Sequence, residues 1–128
     1  MSYYFNQKVK GSFIEVLEKV SDSLKKEGFG ILTEIDVKQT LKKKLGVDFK
    51  NYKILGACNP VFAYEALQIE DKIGLMLPCN VIVQETGEEE VEVAAIDPVA
   101  SMQAVESPEL LKIARQVQEK LKRAIQRL

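Results

Sequence analysis

The sequence predicts an α+β fold: a largely antiparallel sheet covered on one side by helices, in the order strand, helix, strands, helix. Three observations predict it. Several extended stretches rich in branched residues follow one another through the middle of the chain. Two helical stripes of apolar residues, spaced three and four apart, stand near the start and at the end. Turn signals separate these segments, and no connection exceeds about 12 residues. Consecutive strands beside segregated helices are the mark of α+β architecture. The 128 residues suit a single domain over 1–128 with a core of its own.

Residues 3–9 open as a strand. Ser12, with Glu15 three positions later, is a capping box, so a helix is predicted over 13–27. Phe13, Val16, Leu17, Val20 and Leu24 form its apolar stripe, and Gly28 suits a left-handed end. A second strand covers 29–35. Asp36 and Gln39 repeat the capping logic for a short helix that carries Val37, Leu41 and Leu45 and stops at Gly46. Lys42, Lys43 and Lys44 on it form a solvated face. A third strand covers 52–58.

Asn59-Pro60 then reads as N-cap and first helical residue of a helix over 60–67. Residues 73–77 and 80–85 are two extended stretches hinged at Pro78-Cys79. Thr86-Gly87-Glu88 is a turn, and 91–96 is a strand that pairs with 81–85 as a hairpin. Asp97-Pro98 stops it. Ser107-Pro108-Glu109 opens the last helix. Leu110, Ala114, Val117, Leu121, Ala124 and Leu128 form its stripe, and Leu111, Ile113 and Ile125 widen it. A stripe that wide suggests contact with a second subunit, so a homodimer is expected.

Composition excludes several functions. The chain has no histidine, which removes Ser-His-Asp and Cys-His triads and histidine-ligated zinc. Eighteen basic against nineteen acidic residues give a net charge of −1, which argues against nucleic acid as a partner. No secretory leader pattern and no membrane-spanning run stand out, so a cytoplasmic protein without a membrane partner is expected. Two cysteines are too few for a disulfide framework, and both are expected as thiols.

Two segments break the pattern: Cys58-Asn59 and Cys79-Asn80, each beside a proline. A cysteine just before a helix start feels the positive end of the helix dipole, which favours thiolate. Cys58 fits that description better than Cys79. Cys58, Asn59, Cys79 and Asn80 are therefore the candidate ligand-binding residues, with the two thiols as candidate metal ligands. The competing reading is that the cysteines are small buried hydrophobes. No C-x-x-C pairing supports zinc.

Weaker signals have plain readings. Gly28-Phe29-Gly30 precedes a strand, so the phosphate logic of a helix start does not apply. Glu34 and Asp36 share a strand face, but Asp36 suits a cap. Glu88, Glu89 and Glu90 lack the spacing of a calcium loop. No general base can be named, and an enzyme is the least supported class.

The segments Gly28–Val37, Ile54–Pro60 and Gly74–Val81, in this order and spacing, resemble the family catalogued as domain of unknown function 302. The resemblance covers about residues 5–97 and includes Cys58-Asn59-Pro60 and Pro78-Cys79-Asn80. It implies a compact α+β fold like that of the TATA-binding-protein group, and a homodimer. It implies no activity. The expected function is thus binding of a small molecule or metal near the two Cys-Asn segments. The alternative is a non-enzymatic homodimeric interaction protein with structural cysteines.

Overall fold

The computed structural model describes residues 2–128. Five strands make one antiparallel sheet: β1 (Tyr4–Lys10), β2 (Gly30–Asp36), β3 (Tyr52–Cys58), β4 (Cys79–Gly87) and β5 (Glu90–Ile96). Their order across the sheet is β1-β5-β4-β3-β2, so the two chain-distant strands β1 and β5 pair, with Tyr4 opposite Ile96 and Val9 opposite Val91. The α+β class with an antiparallel sheet stands as the sequence predicts.

Alternation along the strands gives the sheet two faces. Leu55, Ala57, Val81, Val83, Val91, Val93 and Ala95 point one way and are almost fully buried. Helices α1 (Phe13–Lys26) and α5 (Pro108–Gln126) cover that face and supply Val16, Val20, Leu24, Val117, Leu121 and Ile125 to the same core. Residues of the other parity, Tyr4, Asn6, Glu92, Ala94, Ile82 and Tyr52, point to the opposite, open face.

Local chemistry sets the helix starts. Glu15 N–H donates to Ser12 Oγ at 3.2 Å and Gln39 N–H to Asp36 Oδ1 at 3.0 Å, which starts α1 and α2 (Val37–Leu45). Leu110 N–H donates to Ser107 Oγ at 3.3 Å at the head of α5. Gly46 ends α2 in the left-handed region, with φ 67°. Lys42, Lys43 and Lys44 are exposed. Glu34 pairs with Lys53 of β3 at 2.6 Å rather than with Asp36.

Four details differ from the sequence reading. Residues 73–77 are not a strand: Asp71–Met76 form a 3-10 turn, started by Glu70, whose carboxylate accepts from Lys72 N–H at 3.2 Å. That local bond fixes the chain before any strand partner is reached. Helix α3 runs over Pro60–Ile69, two residues past its expected end. Asp97-Pro98 not only stops β5 but opens a short helix α4 (Pro98–Ser101), with Asp97 Oδ1 accepting from Val99 N–H. The wide stripe of α5 is met within the chain at Ile113 and Ile125, while Leu111 joins neither core cluster and stays half-buried. Ile125 lies in the main core, and Ile113 bridges to a smaller cluster of Ala66, Ile73 and Leu110.

A polar clasp joins the ends of α1 and α5. Glu27, buried at the C-cap of α1, takes Arg123 Nη2 at 3.1 Å and also pairs with Arg127. Ser23 Oγ donates to Ala124 O at 2.6 Å. The bond from Arg127 holds the Glu27 carboxyl below its ordinary value of 4.5; burial works against this, and Arg123 adds to it. A lowered carboxyl contributes stability above its unfolded pKa and loses it as pH falls through the folded one. Glu27→Gln is therefore expected to cost about 1 kcal/mol at pH 7, modest because both arginines reach solvent. The gap to the unaltered protein should close as pH drops below about 4.5. Urea unfolding at several pH values checks it; a gap that persists unchanged in acid would show that the cost does not come from the ionised carboxylate.

Candidate functional site

The two Cys-Asn segments meet at one corner of the sheet. Cys79 begins β4 opposite Ala57, and Cys58 ends β3 one residue further on. Both thiols are free and line one narrow crevice, walled by Phe29, Phe62, Met102 and Val117. Cys79 is buried and Cys58 half-buried. The open space is about 30 Å³, room for about two water molecules.

The electrostatics of this corner run against the sequence expectation for Cys58. Burial pushes its thiol up, although α3 starts two residues later. Desolvation of the thiolate outweighs the field of one short helix end. Cys79 is pushed further, up to about 11, by burial and then by the neighbouring Cys58. The order of the two thiols is the expected one, but both are protonated near neutrality. Among the described residues, no group of three or more His, Cys, Asp or Glu side chains is placed to hold a metal ion. At pH 8, alkylation is expected to be slow and to modify Cys58 first. Cys58→Ser should remove that phase, and mass mapping that finds Cys79 modified first would contradict the burial order.

The asparagines part company. Asn59 is the N-cap residue of α3, but its side chain makes no cap bond. Its Nδ2 instead donates to Glu27 O at 3.2 Å, tying the end of α1 to the start of α3. It acts as a staple across 32 residues. Asn80 points to the open face, because neighbours in a strand face opposite ways. It shares nothing with Cys79 except the backbone. The structure thus brings together Cys58, Cys79 and Asn59, and places Asn80 elsewhere.

Elsewhere means a second concavity, on the open face of the sheet. Tyr3, Tyr4, Tyr52, Asn80, Ile82, Gln84, Glu92, Ala94 and Ile96 line a depression of about 360 Å³. Register explains the convergence. Ala94 lies opposite both Asn6 and Ile82, and Glu92 opposite both Lys8 and Gln84, with Tyr52 next across from Gln84. The floor is apolar, and one row of it is polar. Tyr3 and Tyr4 stack edge-to-face, with ring centroids 5.0 Å apart. Glu92 accepts from Asn6 Nδ2 and from Gln84 Nε2, each at 2.9 Å. The Tyr52 hydroxyl is pushed up by burial, and then by Tyr3 and Glu92, so it stays protonated. Of these residues the sequence reading singled out Asn80 alone. The missing signal is strand order: β1, β5, β4 and β3 must be known as neighbours before the tyrosines meet.

The pattern of the family described as Domain of unknown function DUF302 matches residues 5–128. The chain belongs to this family. The match takes in α5, which the resemblance in sequence covers only in character. A crystal structure of an uncharacterised conserved DUF302 protein from Bacillus stearothermophilus is similar, with a TM-score of 0.90 at 28% identity. The alignment covers 99% of this chain and 98% of that one. The five-stranded sheet and its helical cover are therefore shared with that DUF302 protein. No curated protein matches the chain.

Proposed function

We propose that this DUF302 protein is a non-catalytic binding module whose small-molecule ligand seats on the open face of the sheet. One observation carries the reading: the depression of about 360 Å³ combines an apolar floor, three tyrosines and convergent polar groups. Small-molecule sites have that make-up and run from about 300 Å³ upward. The cysteine crevice is an order of magnitude smaller, and its thiols are protonated. Asn80 is the one residue of the Cys-Asn pairs that this reading keeps.

The test is protein-observed NMR with a fragment set. The amides of Ile82, Ala94 and Tyr52 are expected to shift together. Shifts gathered instead around Phe62 and Cys58 would move the ligand to the cysteine crevice, and the reading would fall.

A second reading, favoured by one surface, is self-association. Helix α3 is apolar on nearly all sides; its Val61 and Tyr64, and Leu75 of the turn that follows, are 64%, 67% and 86% exposed. Glu65, Glu70 and Asp71 rim this patch. Lys38, Lys42, Lys43 and Lys44 of α2 rim another, with exposed Leu45, Val47 and Phe49. The two patches are complementary in charge, so a second copy is the fitting occupant. Sedimentation should then show a species of twice the 14.4 kDa chain mass that dissociates in high salt; only single chains would reject it. The unpaired thiols support a reducing, cytoplasmic setting.

A further inference from the structure

We infer that the open-face depression is built for an organic cation, a substituted ammonium held against Glu92 and the tyrosine rings. The inference rests on the small-molecule reading above and names the ligand's chemistry.

Glu92 carries the argument. It is half-buried on the sheet, yet it takes part in none of the ion pairs of the described residues. The nearest opportunity is declined. Lys8 stands directly across from Glu92 in the β1–β5 register, but its Nζ lies 4.0 Å from Glu90 Oε1 instead. Two neutral amides hold the Glu92 carboxylate in place. Asn6 donates to Oε2 and Gln84 to Oε1. A carboxylate has about four acceptor positions, so two stay open after the amides have oriented it. Fixing it by neutral donors leaves its full charge for something that is not part of the chain.

The walls select the rest of the ligand. Tyr3, Tyr4 and Tyr52 line the same depression as Glu92. An aromatic face attracts a cation, and the attraction grows when water is excluded. Methyl-bearing ammonium groups are weakly hydrated and fit between rings better than a compact, strongly hydrated lysine-type ammonium does. Ile82, Ala94 and Ile96 offer an apolar floor for the ligand's body. An anion is disfavoured, because Glu92 would repel it and the depression's lining includes no Lys or Arg.

The experiment uses the full chain and two probes, choline and benzyltrimethylammonium, with neohexyl alcohol as the uncharged isostere of choline. NMR titration reads the amides of Tyr52, Ile82, Ala94 and Glu92. Both cations should shift this set, and neohexyl alcohol should bind at least about tenfold more weakly. Glu92→Gln should remove the preference for charge, and Tyr52→Leu should weaken the cations while leaving Glu92 in place. If neohexyl alcohol binds as well as choline, the cation inference is overturned and the small-molecule reading survives. If no probe or fragment moves these amides, both fall. Shifts that follow protein concentration alone would assign the face to a second copy and overturn both.

Discussion

Replacing Leu121 with Ala is expected to remove about 2–5 kcal/mol of folding stability, the range for deleting a fully buried leucine side chain. Leu121 is 0% exposed and sits in the main core, where α5 meets the sheet. Its neighbours on that face, Val117, Ala124 and Ile125, are held by the same helix and cannot collapse into the gap one at a time. Lys122, the next residue, is exposed. Lys122→Ala should change stability by less than about 0.5 kcal/mol. Urea unfolding of both variants is the check. A loss below about 1 kcal/mol for Leu121→Ala would mean that α5 is peripheral to the fold.

That expectation was open to sequence reading because a helix stripe is local. Leu110, Ala114, Val117 and Leu121 recur at helical spacing, and Ser107-Pro108 marks the start; nothing distant must be known. The caps at Ser12 and Asp36 are legible for the same reason, since donor and acceptor are three residues apart. The turn over Asp71–Met76 was not. Ile73, Leu75 and Leu77 alternate as a strand would, and that pattern masks the equally local bonds that hold the turn, from Lys72 N–H to the Glu70 carboxylate and from Ile73 N–H to Glu70 O. The alternation rule, applied to Cys79-Asn80, does separate the two side chains, because both belong to one strand. The expected strand begins at Asn80 with Cys79 in the hinge, so alternation does not reach the pair until β4 is seen to start at Cys79. The role of Asn59 and the tyrosine-lined depression lie beyond local reading. Asn59 reaches Glu27, and Tyr3 meets Tyr52 only through three intervening strand pairings.

Gly56→Ala is expected to cost about 1–3 kcal/mol, the range for forcing an extra carbon into a filled site. Gly56 is buried in β3, opposite Asn80 of β4 and Thr33 of β2. A Cβ there would collide with Thr33 Oγ1 and would lie 2.6 Å from Pro78 Cγ. The threonine hydroxyl can rotate away; the proline ring is fixed by its own backbone. Thr33→Ala should therefore recover only part of the loss in the double variant, a non-additive result expected of residues in contact. The consequence reaches function, because Pro78 precedes Cys79 and Asn80. Pushing Pro78 displaces the start of β4, and with it the thiol crevice on one side and the rim of the open-face depression on the other. Gly56→Ala should thus speed alkylation of Cys79 at a pH where the unaltered protein protects it. Unchanged stability together with unchanged thiol protection would show that this corner yields freely, and the coupling between Gly56 and the two concavities would be rejected.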